Sequence, residues 1–127
     1  MLTLSILPLS LAVVRLDPSA TIPLWATEGH FFSITKTKEE LSIVCEEAAL
    51  PVHAKAEKDW KAIKVEGPLD FSMTGVLASL ALPLAEAKVS IFAISTYDTD
   101  YILVKSKNLE RAVEVLSRFC KVIHAKK

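Results

Sequence analysis

The second half of the chain carries a regular alternation of apolar and polar positions. Over residues 60–66, Ile63 and Val65 alternate with charged residues, as on a half-buried strand. The later segments predict, in order, a helix from about Ser72, strands at 89–95 and 101–105, a helix after Asn108 and a strand at 120–124. The predicted order from Trp60 onward is therefore β-α-β-β-α-β.

The first half is less regular. An apolar run over residues 10–16 predicts a strand that ends at Asp17-Pro18, because the residue before a proline disfavours continued regular structure. A second strand is expected at 30–35, and residues 18–26 leave room for only one or two helical turns between the strands. The connection between the first two predicted strands is therefore shorter than a full helix would need.

A helix is predicted after residue 37. The sequence Thr37-Lys38-Glu39-Glu40 has the capping-box pattern, in which a threonine oxygen and a glutamate carboxylate satisfy free backbone N–H groups. The apolar residues after it fall on one helical face at Leu41, Val44, Cys45 and Ala48. Leu50-Pro51 would end this helix, and the polar stretch 52–59 would connect it to the second half.

These elements indicate an α+β, ferredoxin-like fold. A β-α-β-β-α-β order stacks its helices on one face of an antiparallel sheet. The first half looks like a degenerate version of the same order, although no residue-level repeat supports the duplication. We therefore expect two units, a degenerate one at residues 1–59 and a regular one at residues 60–127.

The balance of charges and the N-terminal sequence argue against nucleic-acid binding and against a signal peptide or membrane span. The chain has 15 basic and 15 acidic residues among 127, so it lacks the basic surface that nucleic-acid binding uses. Residues 1–14 are apolar but have no basic leader and are interrupted by Pro8, so we expect a part of the fold, with a buried strand at 9–16, rather than a signal peptide or a membrane span. Cys45 and Cys120 are expected to be buried thiols, which fits a cytoplasmic protein.

The sequence offers little for catalysis. Three histidines are scattered, no glycine-rich phosphate loop is present among only three glycines, and no cysteine–histidine cluster has metal-ligand spacing. Asp98 and Asp100 alone are weak evidence for a cation site. We expect no enzyme, no metal and no cofactor; a small enzyme would need an acid–base pair near these two aspartates.

Two short segments could carry binding chemistry. In 66–72 a strand ends and a helix begins, so backbone N–H groups there could hold a carboxylate, and Asp70 could meet an ammonium group or merely cap the helix. The connection at 94–101 is rich in hydroxyls and carboxylates, as in a polar hairpin turn or in a ligand-binding patch. The sequence leaves open whether the two segments meet.

The runs Ser72–Leu80 and Pro83–Val104 resemble tandem ACT-domain small-molecule-binding proteins, a family related to the CASTOR-type cytosolic arginine sensors. The match is specific over residues 60–104 and looser before them. The resemblance implies two ACT units per chain with exchange of a strand between them. The arginine sensors hold two such modules in one chain, so it also implies that a homodimer of this chain would supply the second module.

In that family the ligand lies between ACT units. The positions that match its binding segments here are Gly67, Leu69, Asp70, Phe71, Ile94, Ser95, Thr96 and Asp100. The resemblance thus implies a non-catalytic regulatory module that binds an amino acid or similar ligand and acts on a regulatory protein partner. The alternative is a protein-interaction or structural ACT module without a ligand.

Overall fold

The structure is a computed structural model that describes residues 2–67 and 75–126 of the chain. The described part contains β-strands and two α-helices joined by short 3-10 turns. In chain order the elements are β1 (Thr3–Leu16), β2 (Ser33–Lys36), β3 (Leu41–Glu46), β4 (Glu57–Val65), α1 (Val76–Glu86), β5 (Phe92–Ser95), β6 (Asp100–Lys105), α2 (Leu109–Leu116) and β7 (Lys121–His124). The predicted β-α-β-β-α-β order of the second half is confirmed by β4 through β7.

The chain forms two compact units, Met1–Pro8 with Lys61–Lys127 as the larger and Leu9–Trp60 as the smaller. In the larger unit, β1, β4, β6 and β5 are neighbours in that order. Strands β5 and β6 are antiparallel, while β7 pairs with β1 in parallel over Thr3–Ile6. Residues Thr3–Ile6 are thus part of the sheet, although the predicted strand began only at residue 10.

Both helices of the larger unit cover the same face of its sheet. Ile63 and Val65 of β4 lie in one buried cluster with Ile102 and Val104 of β6. The same cluster includes Leu80 and Leu84 of α1 and Ala112, Val115 and Leu116 of α2. Because alternate residues of a strand point to opposite faces, this cluster identifies the helix-covered face. The α+β class with an antiparallel sheet and two helices is therefore confirmed.

The smaller unit is built on β3. Strand β3 pairs antiparallel with β1 over residues 11–16 and with β2 over Ser33–Lys36. A second buried cluster closes this unit, comprising Val14, Ala26, Leu41, Ile43 and Cys45. A 3-10 turn at Leu24–Thr27 is the only helical element in the described connection from β1 to β2, which agrees with the abbreviated connection expected there.

The predicted helix after Thr37 is wrong, because that segment is β3. Thr37 Oγ1 does accept hydrogen bonds from the N–H groups of Glu39 and Glu40, as in a capping box. However, the N–H of Thr37 donates to the carbonyl of Glu40, which closes a hairpin turn between β2 and β3. The chain therefore turns back as a strand instead of starting a helix.

Strand β1 is longer than the predicted segment 10–16. It begins at Thr3 and continues through the exposed Pro8. Residues 3–6 pair with β7, whereas residues 11–16 pair with β3. Pro8 lies between these two ladders, where its missing N–H costs neither of them a bond. It is also the residue at which the larger unit gives way to the smaller one.

Candidate functional site

The turn between β5 and β6 is closed by its own side chains. Ser95 and Asp100 are paired in the strand register, and Ser95 Oγ donates a hydrogen bond to Asp100 Oδ1 at 2.6 Å. The N–H of Thr96 donates to the carbonyl of Thr99 at 2.8 Å, and the N–H of Thr99 donates back to Thr96 Oγ1 at 3.2 Å. These bonds place the 80% exposed Tyr97 and the neighbouring Asp98 at the tip.

This turn is bonded to the end of β4. Thr99 Oγ1 donates a hydrogen bond to the carbonyl oxygen of Val65 at 2.6 Å, and Thr99 is only 5% exposed. Val65 is the last residue of β4 and precedes Glu66 and Gly67. The turn and the described start of the segment 66–72, Glu66 and Gly67, therefore lie at the same end of the sheet in the larger unit.

A second buried hydroxyl holds the other side of the same strand end. Ser5 of β1 is 3% exposed, and its Oγ donates to Glu66 Oε2 at 2.6 Å. The N–H of Glu66 donates to the carbonyl of Thr3 at 2.8 Å. Sequence reasoning missed both Ser5 and Thr99. The one signal that pointed to Ser5 is its position as a polar residue within an apolar run.

Four of the predicted site residues cluster at this end of the sheet: Gly67, Ser95, Thr96 and Asp100. Ile94 is half-buried and paired with Tyr101, and strand alternation directs its side chain to the face opposite Ser95. Leu69, Asp70 and Phe71 lie outside the described residues, so their part in the site stays a prediction.

The hydroxyl groups at this site offer acceptors rather than donors. A hydroxyl has one proton to donate and two lone pairs. Ser95 donates its proton to Asp100, Thr96 to the Thr99 carbonyl at 3.0 Å, and Thr99 to the Val65 carbonyl. Ser5 donates its proton to Glu66. Lone pairs and carboxylate charge are therefore what remains for a ligand.

Charge reinforces this acceptor character. Residues 89–104 include Asp98 and Asp100 but neither lysine nor arginine, and Glu66 adds a third carboxylate at the end of β4. Such a surface favours a ligand group that is cationic or rich in N–H donors. Among the described residues, no group of three or more histidine, cysteine or acidic side chains is arranged to hold a metal ion.

The cysteines lie away from this chemistry. Cys45 and Cys120 are both free and buried. Burial raises the pKa of each thiol, and for Cys45 the nearby Glu46 carboxylate raises the pKa further. Because the thiolate is the reactive form, both thiols are held in their inert state, as expected of buried structural cysteines. None of the described helices has the length and apolar character needed to cross a membrane.

Comparison with known proteins places this fold in a family. The family model of the ACT domain matches residues 55–118, and a second model, of an N-terminal domain, matches residues 10–53. The chain belongs to the ACT-domain family. The ACT match contains β4, both helices, β5 and β6, and so includes the two segments joined by Thr99.

The relatives of this ACT-domain chain include arginine sensors. The human protein CASTOR3P is 34% identical over an alignment of 122 positions that covers 83% of this chain and 75% of that protein. The bovine cytosolic arginine sensor for mTORC1 subunit 1 is 33% identical over an alignment of 99 positions that covers 69% of this chain. The chain spans only 30% of that sensor's length.

Solved structures agree with the fold. The crystal structure of an Agobacterium tumefaciens protein is 36% identical, with a TM-score of 0.92, and the match covers 99% of this chain and 95% of that one. The aspartate kinase of Clostridium acetobutylicum has a TM-score of 0.64 at 13% identity, over 87% of this chain and 33% of the kinase. At that identity the kinase supports the fold alone.

Proposed function

We propose that this ACT-domain chain is a non-catalytic, cytosolic regulatory module that binds an amino acid at the end of β4, beside the turn between β5 and β6. The observation that carries the proposal is the hydrogen bond from Thr99 to Val65, which joins the turn between β5 and β6 to the end of β4. The ligand would join two ACT modules, and binding would act by changing how they pair.

The acceptor character of the site supports a ligand with a donor-rich side chain. The protons of Ser95 and Thr96 are already donated within the turn, and Asp100 adds a carboxylate. A basic or amide side chain would match these acceptors, whereas an aliphatic one would leave them without a partner. The relatives named as cytosolic arginine sensors provide independent support for an amino acid as the ligand.

The roles of the site residues follow from this chemistry and from the family resemblance. Ser95, Thr96 and Asp100 would hold the ligand's side chain. Backbone N–H groups from Gly67 to Phe71 would hold its carboxylate, as the family resemblance implies for the connection between the first strand and the first helix of the ACT unit. Asp70 would hold its ammonium group; this role rests on the sequence, since Asp70 is outside the described residues.

Thermal unfolding of the purified protein with each of the twenty amino acids tests the proposal. A ligand that binds only the folded state stabilises it by about 2.7 kcal/mol at one hundred times its Kd, which moves the melting temperature by several degrees for a chain of this size. We expect a selective shift from one or two amino acids with donor-rich side chains. If none shifts the midpoint, the ligand proposal fails and a ligand-free interaction module takes its place.

A pair of variants assigns the effect to Asp100. Asp100→Asn removes one charge but keeps an oxygen that can accept the Ser95 hydrogen bond. A hydrogen bond to a charged group contributes about 1.5–3 kcal/mol, so affinity measured by calorimetry should fall about ten- to a hundredfold. Asp98→Asn is the matched control, since it removes the same charge at the exposed tip. An equal loss in both variants would show general electrostatics rather than a contact with Asp100.

Ligand pairs that differ in one group test the acceptor argument directly. Lysine and norleucine share a similar aliphatic chain, but only lysine ends in an ammonium group. If the thermal screen selects basic amino acids, lysine should shift the midpoint and norleucine should not. A norleucine shift as large as that of lysine would show that the chain, and not the carboxylate of Asp100, recognises the ligand.

The proposed pairing of modules requires a second copy of the chain. A homodimer would place a symmetry-related module beside the site. Light scattering with and without the amino acid found in the thermal screen should show a dimer whose population rises with ligand. A protein that remains monomeric while it binds the amino acid would exclude a site completed by a second copy.

A further inference from the structure

Buried polar side chains of the described residues are concentrated at one place. In residues 2–67 and 75–126 the buried polar side chains are those of Ser5 and Thr99. Both hydroxyls donate hydrogen bonds at 2.6 Å, Ser5 to the Glu66 carboxylate and Thr99 to the Val65 carbonyl. Two buried hydroxyls thus converge on consecutive residues at the end of β4.

The strand order explains how this is possible. In the larger unit β4 lies between β1, which carries Ser5, and β6, whose first residue follows Thr99. The two hydroxyls therefore hold the strand end from both sides. We name Ser5, Val65, Glu66 and Thr99 the β4 clamp.

The clamp serves a purpose other than filling the core. An alanine or valine fills space at a buried position without a polar group that must be satisfied, whereas a buried hydroxyl is tolerated only when it is hydrogen-bonded. Satisfied buried polar groups fix one arrangement of the surrounding chain, since other arrangements leave them without a partner. The clamp thus fixes the direction in which the chain leaves β4 toward Gly67.

Thr99 also fixes the other half of the site. Its N–H donates to Thr96 Oγ1, and its carbonyl accepts from the N–H of Thr96. Asp100, bonded to Ser95, is the next residue. One residue therefore sets the position of the turn and joins it to the strand end.

We propose that Thr99 and Ser5 are positioning residues that hold the Val65–Gly67 segment and the turn 95–100 in the geometry that receives the ligand, an inference that rests on the proposed function. Thr99 holds the turn against the strand end, and Ser5 holds the Glu66 side chain against β1. Neither hydroxyl would contact the ligand itself, because each is buried, whereas Ser95 and Thr96 are exposed.

The test compares binding in two Thr99 variants with binding in a variant that is destabilised elsewhere. Thr99→Val keeps the shape of the side chain and removes the hydroxyl, whereas Thr99→Ser keeps the hydroxyl. Val115→Ala, which removes buried volume from α2, serves as the control for a loss of stability away from the turn. Each variant is measured by calorimetry with the amino acid that stabilises the wild type, at a temperature where thermal unfolding shows all of them folded.

We expect Thr99→Val to weaken binding at least tenfold, while Thr99→Ser stays within threefold of the wild type. Val115→Ala should bind as the wild type does, although it is also less stable. Wild-type affinity in Thr99→Val would overturn the positioning role while leaving the proposed function intact. An equal loss in Val115→Ala would overturn it too, because stability alone would then explain the effect.

Amide hydrogen exchange of the ligand-free protein tests the clamp independently of binding. Exchange at Glu66 and Thr96, whose N–H groups donate to the carbonyls of Thr3 and Thr99, should become at least tenfold faster in Thr99→Val and in Ser5→Ala, and stay unchanged in Val115→Ala. Unchanged exchange in both hydroxyl variants would overturn the clamp. If the clamp is confirmed but no amino acid binds the wild type, the proposed function fails, and the positioning role fails with it.

Discussion

Gly29 offers the sharpest test of local structure in the smaller unit. It has a φ of +86°, in the left-handed region that other L-residues rarely adopt. The carboxylate of Glu46, at the end of β3, accepts hydrogen bonds from the backbone N–H groups of His30 and Phe31. A Cβ added at Gly29 would lie 2.7 Å from Cδ of Glu46 and closer still to Oε2. Gly29→Ala must therefore displace the carboxylate from both N–H groups.

The cost of Gly29→Ala has two parts. A left-handed alanine costs about 1 kcal/mol. A hydrogen bond to a charged group contributes about 1.5–3 kcal/mol when buried, and we take about 1 kcal/mol for each of the two here because His30 is exposed. The expected loss is therefore about 3 kcal/mol, a large share of the 5–15 kcal/mol that stabilises a typical domain.

Urea unfolding followed by tryptophan fluorescence measures this loss, since both tryptophans of the chain, Trp25 and Trp60, belong to the smaller unit. In a Glu46→Ala background the same glycine substitution should cost only the backbone part, about 1 kcal/mol. An equal cost of Gly29→Ala with and without Glu46 would refute the displacement argument.

The further predictions concern the turn between β2 and β3 and the two buried thiols. Thr37→Ala should lower the free energy of unfolding by about 1 kcal/mol in urea titrations, because two N–H groups lose their acceptor. Thr37→Ser keeps the hydroxyl and should cost less than half of that. Equal losses in the two variants would show that the methyl group of Thr37, and not its hydroxyl, is what stabilises the turn. Cys45 and Cys120 should react with a thiol reagent only after unfolding. Burial raises the pKa of both thiols, so the folded state disfavours the thiolate. The free energy of unfolding should therefore fall as the pH rises past the ordinary thiol pKa of about 8.5. Cys45→Ala should make this fall with pH smaller. Rapid labelling of the native protein at neutral pH would contradict the burial of both thiols.

The error at residues 37–48 shows where sequence patterns are ambiguous. Leu41, Val44 and Cys45 fit a helical face, but Leu41, Ile43 and Cys45 fit the inner face of a strand equally well. A threonine hydroxyl that accepts N–H groups two and three residues later occurs both at a helix start and in a tight turn. The β-branched pair Ile43-Val44 was the local signal for a strand.

The elements of the larger unit could be predicted because each segment shows the hydrophobic period of a strand or that of a helix, but not both. Ile63 and Val65 alternate over a short run, and α2 has a charged outer face and an apolar inner face. What the sequence could not give was the neighbour of each strand. Only the fold shows that β1 lies beside β4, so the pairing of Ser5 with Glu66, 61 residues apart, had no local signal.

Part of the candidate site stands out in the sequence. Ser95, Thr96 and Asp100 stand out because hydroxyls and carboxylates crowd a connection that needs none of them for folding. The meeting of this turn with the end of β4 depends on strand order, which β-strand periodicity does not encode. Thr99 supplies the bond that joins the segments, yet in the sequence it is one of several similar residues in the turn.

The way these hydroxyls are used bears on how such a module would respond to a ligand. The turn is closed by its own hydrogen bonds and fixed to β4 before any ligand arrives. A preorganised site loses little conformational entropy on binding, so more of the interaction energy appears as affinity. Because this turn is already closed by its own hydrogen bonds, we expect the response to the ligand to come from the pairing of modules. A ligand-dependent change in the dimer population, with no change in exchange at Thr96, is the outcome that this reasoning requires.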